Sequence, residues 1–307
     1  MSATTAVPSF DLDTVPEEYR ARVEAMIPPP GVADAYVHRN VKGVWDFDML
    51  DTAVARKRNV LLAGDTGSSK TTLFRAYAAA RGLPFALVEC NAAMDPGVVL
   101  GRTTLYEGGV EFVPGDFTLV VMFGGVGLVD EVNLAHPRIT AGFHALLSVI
   151  RALSLPESGM PPIRAGRSGT GEPQPTLFGA AYNPGRQYAG TVNLNDAFKN
   201  RFAYQLDWGY DRGVEEALVT GVDGKPADEL LEVGEHIRSL AEIRTPVSTN
   251  SLMEFVENAD DFGLEFAIGT FVDRFPSEER VPVSRALEAK AEVLATEMFG
   301  ARADAVG

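Results

Sequence analysis

Residues 59–72 read NVLLAGDTGSSKTT, and this stretch decides the fold. Val60 to Ala63 is an apolar run too short for a free-standing helix, so it reads as a buried strand. Gly64, Asp65, Thr66, Gly67, Ser68 and Ser69 make the loop that comes next. Lys70, Thr71 and Thr72 then open a helix that carries Leu73, Phe74, Tyr77 and Ala78. A strand, a loop with glycines and a helix starting at Lys-Thr is the context of a phosphate-binding loop. Unpaired N–H groups at the helix N-terminus face the phosphates, and the helix dipole favours their charge. In such a loop Lys70 reaches the β- and γ-phosphates as a point charge, and the Thr71 hydroxyl holds Mg²⁺. One position departs from the pattern G-x-x-x-x-G-K-[ST]: Ser69 stands where the second fixed glycine belongs.

Outward from the loop, apolar strands alternate with helical segments. Further strands are predicted over 85–89, 126–129, 176–182 and 202–206, with helices over 46–58, 137–153 and 193–200. That alternation predicts a parallel five-stranded α/β sheet with crossover helices. A short helix is expected over 95–101. Residues 102–123, rich in Thr, Val, Gly and Phe, predict a hairpin with strands near 110–113 and 118–122. The Gly- and Pro-rich stretch 157–175 reads as a loop or hairpin tip. Beyond residue 211 the strand signal stops, and helices are predicted near 211–220, 226–241, 249–260, 264–274 and 284–299. Before the sheet, residues 1–15 read as disordered, and 16–27 as a short helix capped by Thr14. The expected domains are an N-terminal extension (1–40), an α/β nucleotide-binding domain (41–210) and an acidic helical lid (211–307).

With 307 residues, 46% hydrophobic and 22% charged, the chain is ordinary for a globular protein with a real core. Its net charge of −15 is uneven: residues 1–210 hold 21 acidic and 18 basic side chains, residues 211–307 hold 21 and 9. This balance argues against nucleic acid as a partner, which requires clustered Lys and Arg. No run of 18 apolar residues is present, so no membrane span is expected. The first residues lack the basic and apolar regions of a secretory signal, which fits a cytoplasmic protein. Cys90 is the single cysteine, expected as a buried thiol at a strand end. His38, His136, His144 and His236 show no paired metal spacing, and Trp45 and Trp208 read as packing residues.

The second part of the chemistry comes after the strand at 126–129. Asp130 and Glu131 stand at its end, about sixty residues after the phosphate loop. A carboxylate there can hold the Mg²⁺ water shell beside Thr71, while its neighbour orients and deprotonates an attacking water.

At this point the chain resembles a known family. GLVDEVNLAHPRITAGFHALL resembles the Walker B segment of the MoxR branch of AAA+ ATPases, where Asp-Glu-x-Asn opens a helix. GAAYNPGRQYAGTVNLNDAFKNRF resembles the same branch's sensor 1 strand, followed by a helix ending in Arg-Phe. The motifs are similar to those of the CbbQ/NirQ group and of CobS-type chelatase subunits, over roughly residues 40–260. The resemblance implies an AAA+ fold with a C-terminal helical lid, and ATP and Mg²⁺ as cofactors. It implies that Gly64 to Thr71 is the Walker A loop, that Asp130 and Glu131 are the Walker B pair, and that Asn183 is sensor 1. Arg201 would be an arginine finger directed at a neighbouring subunit's nucleotide, in a homo-oligomeric ring, expected to be hexameric. A protein client or a von Willebrand A-type partner is implied as well. Inserts are expected as hairpins around 102–123 and within 154–176.

Two positions depart from the family. Ser69 replaces a glycine, and in VSTNSLMEF Asn250 stands where relatives carry the sensor 2 arginine, with Arg244 and Arg274 as possible substitutes. Both departures bear on hydrolysis rate. The leading reading is therefore a ring ATPase that remodels a protein. Its alternatives are an ATP-holding scaffold with slow turnover and the energising subunit of a metal chelatase. A monomeric P-loop kinase or GTPase would leave Asn183, Arg201 and the helical lid unexplained.

Overall fold

Five strands form one wholly parallel sheet. They are β1 (Val60–Ala63), β2 (Phe85–Glu89), β3 (Gly125–Asp130), β4 (Thr176–Tyr182) and β5 (Tyr204–Asp207), in the order β5-β1-β4-β3-β2. The computed structural model describes residues 7–91, 96–106, 109–135, 137–155, 158–184, 194, 196–221 and 224–300. They fall into two compact units: one runs to Gly64 and resumes over Ser69–Trp208, and the other consists of Asp65–Ser68 with the residues from Gly209 onward.

Burial on both faces explains why the three central strands, β1, β4 and β3, read as apolar runs. The edge strands, by contrast, expose Leu87 and Glu89 in β2 and Gln205 and Asp207 in β5. Successive side chains of β1 point to opposite faces. Val60 and Leu62 join Leu73, Phe74, Tyr77, Leu128 and Leu177 on one side. Leu61 joins Val88, Val129, Phe117, Phe143 and Phe178 on the other. Helix Lys70–Arg81 packs tightly onto β4: a Cβ on Gly179 would lie 2.4 Å from the Phe74 ring. The helix ends at Gly82, in the left-handed region, with Leu83 N–H donating to the Ala78 carbonyl at 2.9 Å. Arg81 in its last turn pairs with the buried Asp51, which also accepts from the Tyr77 hydroxyl.

The strands match the sequence reading closely, and the differences lie elsewhere. The hairpin pairs Gly101–Tyr106 with Gly109–Pro114, and residues 116–123 are a buried helix where a strand is expected near 118–122. A short run such as FTLVVMF, buried on all sides, carries no period that separates strand from helix. A second, small antiparallel pair joins Ala152–Leu153 to Ile163–Arg164. Residues 12–14 form a 3₁₀ turn capped by Asp11, and Val15 is buried, where disorder is expected. The helix that follows, Glu17–Ala25, has Pro16, not Thr14, at its N-cap, with no side-chain capping bond. Helix Asp196–Lys199 and β5 come after β4; residues 185–193, part of the sensor 1 stretch, lie outside the described residues.

The second unit is helical. Its helices span Arg212–Leu218, Asp228–Ser239, Thr249–Phe262, Leu264–Asp273, Ser277–Glu288 and Ala291–Phe299. They bury Leu230, Ile237, Leu252, Phe255, Phe271, Leu287 and Leu294 among themselves. The single helix expected over 284–299 is two, because the chain leaves helical geometry at Lys290 (φ −119°, ψ 9°). Pro282 lies inside the earlier of the two, which masks its start at Ser277 in the sequence. No helix among the described residues is long and apolar enough to cross a membrane.

Candidate active site

Three adjacent strands end side by side, and the segments that leave their C-terminal ends build the site. The register sets Ala63 level with Tyr182, and Ala180 level with Val129. Strands lie roughly 4.8 Å apart, so Gly64, Asn183 and Asp130 occupy one edge about 10 Å wide. The Gly64 N–H donates to the Tyr182 carbonyl at 3.1 Å, which ties the loop entry to β4. Asn183, the first residue past β4, is buried.

Within the loop, the Ser68 hydroxyl donates to the Asp65 carbonyl at 2.8 Å and closes a turn. Asp65 and Thr66 are exposed on its crest, and Ser68 is fully buried. Gly67 has φ +75°, and a Cβ there would lie 2.5 Å from Ser248 Cβ, so a side chain is excluded on both counts. The Thr66 carbonyl accepts from the Tyr210 hydroxyl at 2.8 Å. These crest contacts all fall within the helical unit, to which residues 65–68 belong.

Ser69 precedes the helix with φ 66° and ψ 25°, and its side chain makes no capping hydrogen bond. This is the left-handed region, which costs an L-residue about 1–2 kcal/mol. The backbone therefore keeps the glycine conformation of the pattern although the residue is serine. Lys70 is buried, and its ammonium donates to the Gly64 carbonyl at 2.8 Å. The Thr71 hydroxyl donates to one carboxylate oxygen of Asp130 at 2.5 Å. The other accepts the Glu131 N–H at 2.9 Å. Thr72 is exposed in the first turn of the helix.

Glu131 also sits in the left-handed region, with φ 50°. Its carboxyl is pushed above the ordinary carboxylate range, by burial first and by Asp130 next, with Lys70 opposing the rise. Backbone strain and a raised carboxyl pKa thus coincide at the residue proposed from sequence as the base. The hydroxyl–carboxylate pair of Thr71 and Asp130 supplies the hard oxygen ligands that Mg²⁺ takes. Beside it stand Lys70 and the N–H groups of a helix start, which suit a phosphate chain. The residues present fit a Mg²⁺–nucleotide.

Not every expected residue joins this edge. Arg201 lies before β5, at the opposite ends of the strands, where its carbonyl accepts from the Asn59 side chain at 2.9 Å. Its guanidinium donates to the carbonyls of His144 and Ala197, at 3.1 and 2.8 Å. In the helical unit, Asn250 is exposed in the first turn of helix Thr249–Phe262. Of the substitutes for a sensor 2 cation, Arg274 is paired with Glu254, and Arg244 is exposed.

Three residues acquire significance that the sequence did not reveal. Arg238 pairs with the buried Glu215 at 2.6 Å and stacks 3.8 Å over the ring of Tyr210, the residue bonded to Thr66. In the sequence it is only a cation in the last turn of a helix. Asn133 buries an amide oxygen that has no hydrogen-bond donor among the described residues. Its place in Asp-Glu-x-Asn was the available signal. Cys90 donates its N–H to the Asp130 carbonyl at 3.0 Å. Its thiol is pushed up to about 12 by burial and by Asp130 and Glu131.

Residues 59–202 match the family model of the AAA domain (dynein-related subfamily). The chain is 34% identical over 171 residues to the uncharacterized protein YojN of Bacillus subtilis, covering 54% of this chain. It spans about half the length of that relative, 52%. It is 27% identical over 228 residues to the "Putative chaperone BssE" of Thauera aromatica, covering 72% of this chain and 76% of that protein. An uncharacterized protein of Staphylococcus aureus is 26% identical over 277 residues, covering 83% and 96%. The parallel sheet, its flanking helices and the helical C-terminal region are those of an AAA+ α/β fold with a helical lid.

Proposed function

We propose that this chain is an AAA+ ATPase that binds ATP with Mg²⁺ and hydrolyses it to remodel or activate a protein partner. The observation that carries the reading is the shared edge of β1, β4 and β3, which brings Lys70, Thr71, Asp130, Glu131 and Asn183 together. Lys70 would leave the Gly64 carbonyl for the phosphates, and Thr71 with Asp130 would hold Mg²⁺, which supplies charge neutralisation when bound. Glu131, with its raised carboxyl pKa, is suited to take a proton from water near neutral pH. Asn183, buried just past β4, would orient that water or the γ-phosphate.

Arg201 has its role beside another copy's nucleotide, since the sheet separates it from the phosphate loop of its own chain. A homo-oligomeric ring, hexameric in the MoxR branch, follows from this role, and the resemblance to that branch implies a protein client or a von Willebrand A-type partner. A chaperone-named relative supports protein remodelling. The domain reading is an α/β unit over 41–210 and an acidic lid over 211–307.

The decisive experiment is calorimetric titration of Mg-ATP into Lys70→Ala. Binding is expected to disappear with the charge that meets the phosphates, and unchanged affinity would overturn the assignment. A second reading, a scaffold that turns ATP over slowly, is favoured by the exposed, uncharged Asn250 at the sensor 2 place. Asn250→Arg is then expected to speed basal hydrolysis. Brisk hydrolysis in the parent, unaltered by the change, would remove the scaffold reading.

A further inference from the structure

At the N-terminal ends of β1 and β4, away from the phosphate loop, lies a cavity of about 440 Å³, in the size range of ligand sites. Four cations line it, Lys57, Arg151, Arg164 and Arg167, and no acidic side chain among the described residues does. In a chain of net charge −15 this is a marked local reversal. Arg151 is 8% exposed, and among the described residues its guanidinium bonds to neutral groups. It donates to the Lys57 carbonyl at 3.1 Å, to Asn59 Oδ1 at 3.0 Å and to the Thr176 carbonyl and hydroxyl, and it lies 4.9 Å from the Phe178 ring centroid. Burial without a carboxylate lowers its pKa to about 10, so the cavity floor holds a desolvated charge without a counter-ion among the described residues. Lys57, Arg164 and Arg167 are exposed and form no ion pair with any described residue.

The rim adds a second kind of contact. Val149 is fully exposed and Ile150 is 65% exposed, side by side on the cavity wall. A small inorganic anion would neutralise the arginines and leave this apolar pair in water. A peptide carrying carboxylates and an apolar side chain satisfies both at once, by charge complementarity and by burial of apolar area. We propose that this cavity is a docking site for an acidic, apolar-containing peptide segment of a partner protein. The site stands independently of the nucleotide reading, because it lies at the other ends of the strands and its occupancy requires no ATP.

The probe is a short fluorescein-labelled peptide alternating glutamate and leucine, titrated with the full chain in the absence of nucleotide and followed by anisotropy. It is expected to bind, and to weaken as salt is raised. Arg164→Glu with Arg167→Glu, both at exposed positions, is expected to weaken binding about tenfold or more. Val149→Ser with Ile150→Ser is expected to weaken it a few-fold. These exposed pairs keep the test decisive even if replacement of buried Arg151 prevents folding. Equal binding of a lysine–leucine peptide, or indifference to the charge reversal, would overturn the proposal. Equal binding of a glutamate–serine peptide, or full competition by inorganic phosphate, would overturn it in favour of a small-anion site.

Discussion

The two ends of the parallel sheet handle charge in opposite ways. At the C-terminal ends of β1 and β3, a lysine, two carboxylates and a hydroxyl stand together, and Thr71 already bonds Asp130. At the N-terminal ends, Arg151 is fixed by carbonyls, an amide and a hydroxyl, with no carboxylate beside it among the described residues. The first end also carries strained backbone at Ser69 and Glu131. The contrast suggests a division of labour. Charges of both signs in a tight, strained setting suit chemistry, in which protons and phosphates must change partners. Rigid cations of one sign suit recognition, in which the missing charge is brought by something else.

The largest test of this division concerns Arg201, which lies at the cationic end although its proposed role is in the chemistry of the other end. Asn59 donates to the Arg201 carbonyl and accepts from Arg151, so the proposed finger is anchored at the cationic end. Arg201→Ala is expected to lower turnover by roughly 10³-fold, with nucleotide binding kept. Mixed with Glu131→Gln subunits it should regain part of its activity, because some interfaces then hold both intact groups. Failure to complement in demonstrably mixed rings argues against action in trans.

Next in size is Glu131→Gln, expected to bind ATP and lose turnover by about 10²-fold or more, read in a phosphate-release assay. In the parent, the acid limb of the kcat profile is expected above the ordinary carboxylate range, because burial and Asp130 raise this carboxyl and the base acts only once deprotonated. A limb at the usual carboxylate value would place the base elsewhere.

At the other end of the sheet, Arg151→Met leaves Asn59 Oδ1 and the Thr176 carbonyl without their buried donor. The expected cost is about 1–3 kcal/mol of stability, read by denaturant titration, with nucleotide affinity unchanged. The smallest effect is that of Ser69→Gly. Relief of left-handed strain, about 1–2 kcal/mol, is partly offset by glycine's unfolded-state entropy of about 0.5–1 kcal/mol. A net gain of about 1 kcal/mol or less is expected in thermal denaturation. A loss would show that Ser69 makes a contact that offsets its backbone.

How legible this was from the sequence depends on the type of signal. Val60–Ala63 and Thr176–Tyr182 coincide with the strands read from apolar runs because two-sided burial keeps nearly all their residues apolar. Phe85–Glu89 coincides as well, although it exposes Leu87 and Glu89. The loop and the Asp130–Glu131 pair were legible because phosphate chemistry needs particular residue types at fixed spacing. The segment 116–123 was not, since an apolar run of that length suits a buried strand and a buried helix equally. The cationic cavity was also invisible. Its residues come from separate stretches, around 57, 149–151, 164–167 and 173–176, which only the strand order brings together. Left-handed backbone at Ser69 was hinted at by the glycine it replaces, whereas nothing in the sequence marked Glu131.

The buried thiol next to the strand that ends in Asp130 gives this protein an internal clock. Cys90 is the chain's single cysteine, and a thiol held near 12 is almost wholly protonated at neutral pH and shielded from reagents. Labelling by a disulfide reagent therefore proceeds only when β2 and its neighbour β3 open, so the labelling rate reports the free energy of that opening. Nucleotide that tightens this edge should slow the reaction. A cysteine introduced elsewhere on the surface would react long before the native one, so a dye can be placed at one chosen site without removing Cys90.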